Sequence, residues 1–248
     1  MKLALQPGGK EAKNHSMSLP RSAFLLIPLL LNQCGTSKTE PEERRSAIVP
    51  SLAATRAPSR DLMDVRQLIP DISVDLRYAT KDNIAKRPLY PQDMPCLLKT
   101  ATALKLAKAQ EILKSKGYSL RLWDAWRPPE VQLLLVEKDR HDLFLDPKSA
   151  WSRHCAGVAV DVTLTDLKGR EQKLPTYHDE AGTHTRYDYK GGSPTVRRNL
   201  QTLQRAMVDA GFYILDTEWW HFDDSDYYYQ SAPVVFAHEL GITISDDP

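Results

Sequence analysis

The sequence has no excess of either charge sign: 33 Lys and Arg stand against 32 Asp and Glu in 248 residues. So even a balance gives no electrostatic footprint for nucleic acid, and none is expected as a partner. Cysteine is scarce. The three are Cys34, Cys96 and Cys155, and the first lies in an N-terminal segment apart from the body. Two remaining cysteines build no disulfide framework, and they neither demand a single bridge nor exclude one. The apolar run Ala23 to Leu31 is interrupted by Pro28 and falls well short of the roughly 20 residues a membrane-crossing helix needs. Beyond Asp61 there is no internal repeat and no low-complexity break. With 42% apolar residues the chain can form one good core, so a single domain over 61–248 is expected.

Met17-Ser18-Leu19-Pro20-Arg21 precedes the apolar run, and Asn32, Gln33, Cys34 and Gly35 follow it. A basic residue, a short apolar stretch and a small polar exit describe a signal peptide. The residues before Met17 fit neither a signal nor a fold, so Met17 is expected to be the true start. Leu31-Asn32-Gln33-Cys34 resembles a bacterial lipoprotein cleavage box with Cys34 as the lipidation site. An ordinary cleaved signal with an incidental cysteine is the alternative. On either reading residues 1–34 are a targeting segment. The protein is expected to be exported, as a periplasmic or cell-envelope lipoprotein, with membrane attachment only through a lipid on Cys34. Residues 35–60 are polar, proline-bearing and charged, and read as a flexible linker.

Within the body, Ile72 to Tyr78 reads as a short strand. Leu97 to Lys116 reads as a helix with Ala103, Leu106, Ala109 and Leu113 on one face and Gly117 as its stop. Ser119 to Asp124 alternates as a strand, and Arg127-Pro128-Pro129 ends it and opens a helix through Lys138. Val158 to Leu164 is the clearest strand. Its valines and Leu164 share one face, and Ala159, Asp161 and Thr163 share the other. Ser193 and Pro194 cap and start a helix whose stripe is Val196, Leu200, Leu203, Met207 and Ala210, closed by Gly211. Phe212 to Leu215 and Glu218 to Phe222 read as strands. The expected fold class is α+β, a mostly antiparallel sheet with flanking helices.

Two distant stretches carry the chemistry. Ser152-Arg153-His154-Cys155-Ala156-Gly157-Val158-Ala159-Val160-Asp161 offers an imidazole and a carboxylate, and Glu218-Trp219-Trp220-His221 adds a second imidazole and a glutamate. Three protein ligands and a spare carboxylate suit a catalytic zinc, which keeps a fourth position open and needs a base for the attacking water. The pattern points to a metallohydrolase with one Zn2+ per chain. Residues three apart on a flat strand face opposite ways. Glu218 and His221 therefore require a bend, bulge or strand end near Trp219. Cys155, beside a candidate ligand, is expected to be a small buried residue rather than a ligand or nucleophile. His15, His141, His178, His184 and His238 lie in predicted loops or termini without ligand spacing to the pair. No direct role is expected of them, and His178 is the least safe to set aside because Asp179 adjoins it.

These residues resemble the zinc D-alanyl-D-alanine dipeptidases of the vancomycin-resistance type, in the superfamily that also holds lysostaphin-like peptidases and hedgehog domains. The resemblance runs from Asp75-Leu76-Arg77-Tyr78-Ala79-Thr80-Lys81-Asp82-Asn83 through Trp123-Asp124-Ala125-Trp126-Arg127-Pro128 to the two zinc stretches. It includes Pro175-Thr176-Tyr177-His178-Asp179-Glu180. It implies a hedgehog-like peptidase fold, zinc on His154, Asp161 and His221, Glu218 as general base and Arg127 steadying the oxyanion. It also implies that Tyr78, Ser152 and Asp179 line the substrate pocket, with Asp179 a partner for the free amino group of a small D,D-dipeptide. Two positions depart from the family pattern. His178 stands where phenylalanine is expected, and Trp126 stands where tyrosine is frequent, which bears on pocket shape rather than on the metal.

The expected reaction is hydrolysis of D-alanyl-D-alanine to free D-amino acids by a zinc-activated water, with Glu218 moving the proton and the Arg127 guanidinium meeting the developing charge. Arg127 has a plainer reading as an ordinary ion-pair partner of Asp124. Two alternatives remain for the whole: a carboxypeptidase acting on peptidoglycan stem peptides, and an inactive zinc-stabilised cell-wall-binding domain. The presence of both Glu218 and Arg127 speaks against the second, since a structural site needs neither. Oligomeric state is left open.

Overall fold

A computed structural model describes residues 61–138 and 143–244. The targeting segment with Met17 and Cys34, the linker over 35–60, His15 and His141 lie outside the described residues. Strand β1 (Leu62–Asp64) leads into the short helix α1 (Val65–Leu68), and β2 (Ser73–Val74) follows. Strand β3 (Leu97–Lys99) runs directly into helix α2 (Thr100–Lys114), and β4 (Tyr118–Asp124) returns into the fold. Helix α3 (Pro129–Lys138), β5 (Ala159–Asp166), α4 (Pro194–Ala210), β6 (Phe212–Ile214) and β7 (His221–Asp224) complete the regular elements.

The main sheet has the order β2-β4-β5-β7-β6. Only β2 and β4 pair in parallel, and the other neighbours are antiparallel. Strands β1 and β3 form a separate antiparallel pair. Helices α2 and α4 pack on each other and against the sheet. Leu106, Leu113, Leu203 and Met207 from the helices meet Leu120, Leu122, Val160, Val162 and Leu164 from the central strands in one buried core. The architecture is α+β, with a mostly antiparallel sheet.

The helix and strand signals hold where they were strongest. Ser193 caps α4 through its side chain, which accepts from the Val196 N–H, and Gly211 closes the helix in the left-handed conformation at φ 103°. Strand β5 is buried on both faces, as befits the middle of a covered sheet. Three boundaries differ from expectation. The segment from Leu97 does not begin as helix: Leu97–Lys99 pairs with Leu62–Asp64, and the helix starts at Thr100. The strand expected over Ile72 to Tyr78 is confined to Ser73–Val74. Beyond it Arg77–Ala79 turns as a 3-10 helix that buries Tyr78. The strand expected from Glu218 begins only at His221. A turn with His221 N–H to Glu218 O precedes it, the strand end that the Glu218 and His221 spacing required.

Two local features aim side chains at one spot. The β4–β5 ladder pairs Leu122 with Val162 and then Asp124 with Asp161, so Trp123 is an extra residue in a bulge. Between α3 and β5, a 3-10 turn over Arg153–Ala156 ends at Gly157, whose φ is 68°. A Cβ at Gly157 would stand 2.6 Å from Leu62 Cδ2 and 3.3 Å from the Lys99 backbone nitrogen. Glycine is favoured there by its left-handed backbone, and the Lys99 backbone leaves little room for a Cβ.

Candidate metal centre and catalytic pocket

Strands β5 and β7 place Asp161 and His221 as direct cross-strand partners. The turn before β5 brings His154 to the same point. His154 Nε2 is 3.1 Å from His221 Nδ1 and 3.3 Å from Asp161 Oδ1, and His221 Nδ1 is 3.0 Å from that same oxygen. These spacings fit one small ion, since two donors of a tetrahedral zinc stand about 3.3 Å apart.

The chemistry of the donor set fits as well. His154 Nδ1 is 2.7 Å from the Ala125 carbonyl, an acceptor only, so that nitrogen carries the proton and Nε2 offers a lone pair. His221 Nε2 is 3.0 Å from Asp223 Oδ1, which in the same way leaves Nδ1 to the centre. Two nitrogen lone pairs and a carboxylate oxygen thus converge, an arrangement that calls for a cation. Burial alone would lower the pKa of His221, yet the Asp223 and Asp161 carboxylates raise it well above the ordinary value. Burial would raise Asp161, but the charge His154 carries when protonated, with the hydrogen bonds that His178 and the protonated His154 and His221 then give it, holds it well below the usual range. Without a metal, a proton is drawn to the place a cation would take. His154, Asp161 and His221 are the one group identified among the described residues as able to hold a metal ion.

Beside this triad lies a cavity of about 230 Å³, whose wall includes Arg127, Ser152, Asp179 and Glu218 as well as the three candidate ligands. Glu218 leaves the turn before β7. Burial raises its carboxyl to about 7, with the nearby Asp161 and Asp179 pushing the same way and His221 and Arg127 pulling it down. Arg127 is buried and fixed from several sides. Its Nε donates to Asp124 Oδ2 at 2.8 Å, Nη1 to Gln132 Oε1 at 3.0 Å, and its guanidinium lies 4.9 Å from the Tyr78 ring centre. The plainer expectation, an ion pair with Asp124, is present, and that pair holds Arg127 on the cavity wall. Asp124 is held in turn by the Tyr90 hydroxyl at 2.7 Å.

Asp179 takes φ 58°, a strained backbone for a residue other than glycine. Its carboxylate accepts the Tyr78 hydroxyl at 3.1 Å. Burial raises its pKa, with the charges of His178 and Arg127 pulling it back. Tyr78 is fully buried and stands behind Asp179 and Arg127 rather than on the cavity wall. Ser152 lines the cavity, and its hydroxyl accepts the His154 N–H at 3.3 Å as the cap of the turn. Cys155 is buried, its thiol is pushed up to about 12 by burial, and the group that converges to hold a metal is His154, Asp161 and His221 without it.

Two residues that touch the candidate ligands escaped the sequence. His178, set aside among loop histidines, is buried with Nε2 3.1 Å from Asp161 Oδ2. Asp223 braces His221 and is itself paired with Arg153 Nε at 3.1 Å. Its signal was available, because residues i and i+2 share a face of a strand. His184 and His238 are exposed, as expected of loop histidines.

Comparison with known proteins converges on one family. The profile described as D-ala-D-ala dipeptidase, of the M15 peptidases, matches residues 58–239. The chain is 31% identical to a D-alanyl-D-alanine dipeptidase of Escherichia coli (strain K12) over 163 residues, 66% of this chain and 84% of that protein. It is 27% identical to a D-alanyl-D-alanine dipeptidase of Enterococcus faecium, covering 63% of this chain and 87% of the relative. To one of Enterococcus faecalis (strain ATCC 700802 / V583) it is also 27% identical, covering 69% and 95%.

Proposed function

The chain belongs to the D-ala-D-ala dipeptidase family of metallopeptidases, and from that premise we propose that it hydrolyses D-alanyl-D-alanine to two molecules of D-alanine, with one zinc held by His154, Asp161 and His221. The observation that carries this reading is the convergence of three lone-pair donors beside a carboxyl poised near neutrality. Zinc in such a set supplies Lewis acidity and lowers the pKa of water to about 7.

The other roles fall to the protein's own groups. Asp161 and Glu218 are carboxylates whose environments push them apart, one far below and one far above the ordinary range. That separation sorts a permanent anion, fit for a ligand, from a proton carrier. Glu218 takes the proton of the attacking water and hands it to the leaving amine. Arg127, locked by Asp124 and Gln132, presents a fixed positive charge where the carbonyl oxygen becomes negative. Asp179, with its carboxylate steadied by Tyr78, receives the substrate ammonium, which relieves an otherwise costly buried acid. Ser152 contributes a hydroxyl on the same wall.

One observation favours a second reading, the trimming of longer peptidoglycan stem peptides. Leu145, Ser152 and Arg153 border both the catalytic cavity and a neighbouring one of about 550 Å³, so space adjoins the pocket on that side for a longer chain. The test is release of D-alanine from D-alanyl-D-alanine and, in parallel, from a stem pentapeptide, with and without a chelator, using the full chain. Chelator-sensitive release from the dipeptide alone supports the first reading. Release only from the pentapeptide overturns it in favour of the second, and release from neither removes both.

The proposal extends to location. The signal-like segment and Cys34 support export and lipid attachment. The mass of the protein extracted from membranes tests both, and a mature chain that retains Ser22 to Leu31 would sink signal cleavage.

A further inference from the structure

The Asp161 carboxylate has two oxygens with different tasks. Oδ1 faces His154 and His221, at 3.3 and 3.0 Å. Oδ2 points away from them and meets His178 Nε2 at 3.1 Å and, at a longer 3.5 Å, Arg127 Nη2. His178 is therefore the nearer donor to the outer oxygen. Its ring has no freedom to leave. It is buried and packed edge-on against Tyr78 and Trp123, each with ring centres 5.5 Å away, and against Trp220 at 5.9 Å. Its Nδ1 is buried without a hydrogen-bond partner and faces Asp179 Oδ2 at 3.5 Å.

We propose that His178 is a positioning residue: its Nε2–H fixes the Asp161 carboxylate so that Oδ1 is turned to the metal, and its ring spans the gap to Asp179 on the recognition side of the pocket. The inference rests on the metal reading above. A carboxylate free to rotate presents either oxygen or both, whereas one with its outer oxygen bound presents a single donor at a fixed angle. Partners behind metal ligands characteristically contribute a factor of ~10–100 to metal affinity or activity. Phenylalanine would fill the same aromatic cage and lose the donor.

The test titrates zinc into the metal-free full chain against a chromogenic chelator, for the wild type, His178→Phe and His178→Gln. The amide of glutamine reaches the Nε2 position with an N–H. The phenylalanine variant is expected to bind zinc ~10–100-fold more weakly, and the glutamine variant to stay within about three-fold of the wild type, as a kept donor on the same ligand implies. Zinc-saturated His178→Phe is expected to lose kcat more than KM. Wild-type affinity in His178→Phe overturns the proposal, and so does equal loss in both variants, which would assign the effect to ring packing. If the phenylalanine variant does not fold, the wild type still decides. A downfield, slowly exchanging imidazole Nε2–H resonance is expected, and its absence overturns the bond. A wild type that binds no zinc would instead remove the metal reading, while the resonance would still test His178.

Discussion

His154 Nε2 and His221 Nδ1 face each other at 3.1 Å, and each ring gives its own N–H to an acceptor behind it, Ala125 O and Asp223 Oδ1. Two lone pairs so opposed repel, and a third donor, Asp161 Oδ1, closes the triangle. The cost of holding them together in the metal-free chain is met in part by protons, and a cation removes it.

Metal removal should therefore be visible as lost stability. At a free zinc concentration 100 times the dissociation constant, binding to the folded state alone stabilises it by about 2.7 kcal/mol. For a domain of this size that corresponds to roughly 5–10 °C in Tm. Thermal melts with and without a chelator check this, and superimposed curves would count against the site.

Glu218→Gln should keep zinc and lose turnover. Glu218 is not among the three converging donors, so metal content should match the wild type, while kcat falls on the order of 100-fold to 10,000-fold. Loss of zinc in this variant would contradict its assignment as a proton carrier.

The acid limb of the kcat/KM profile should belong to the same residue. Glu218 acts as base only when ionised, so the rate falls as pH drops through its pKa. In the metal-free chain burial places that pKa at about 7. A nearby dication favours the carboxylate and moves it down, so the limb in the zinc enzyme should lie below that value. The residual rate of Glu218→Gln should lack this limb.

Asp223→Ala should weaken zinc binding by a factor of ~10–100 without touching a ligand. The aspartate fixes the His221 tautomer and is itself held by Arg153. Competition with a chelator measures the effect, and an unchanged affinity would show that the tautomer is set elsewhere.

Asp179→Ala should raise KM while zinc affinity stays near the wild-type value. Its carboxylate lies on the cavity wall and bonds Tyr78, not the triad. Parallel zinc titration and kinetics check the separation, and equal loss of both would refute the role in recognition.

The elements legible in the sequence were those specified locally. Helix α4 has its serine cap, first-turn proline, apolar stripe and closing glycine all within contiguous residues. In strand β5 the valines and Leu164 alternate with Ala159, Asp161 and Thr163, and the acid opposite that apolar stripe is the candidate ligand. What stayed hidden depends on partners remote in sequence. Leu97–Lys99 is too short to show a period, and it becomes a strand because Leu62–Asp64 pairs with it. His178 belongs to a loop, and nothing local ties it to Asp161. Only the folding of that loop onto the Tyr78, Trp123 and Trp220 cage brings the two together. Tyr78 was legible as important but not in its manner, because a tyrosine behind the wall and one on the wall leave the same trace in a sequence.

Asp161 and His221 are direct partners across the β5–β7 ladder, 60 residues apart in the chain. The site therefore has a history as well as a geometry. Before that ladder forms, the ligands share no fixed geometry, and a slip of one residue would turn one of them to the opposite side of the sheet. The full set of three ligands is available only once the sheet is assembled. Once seated, the ion ties two strands brought together by long-range pairing, and its chief effect should be on how fast the sheet comes apart, not on how fast it forms.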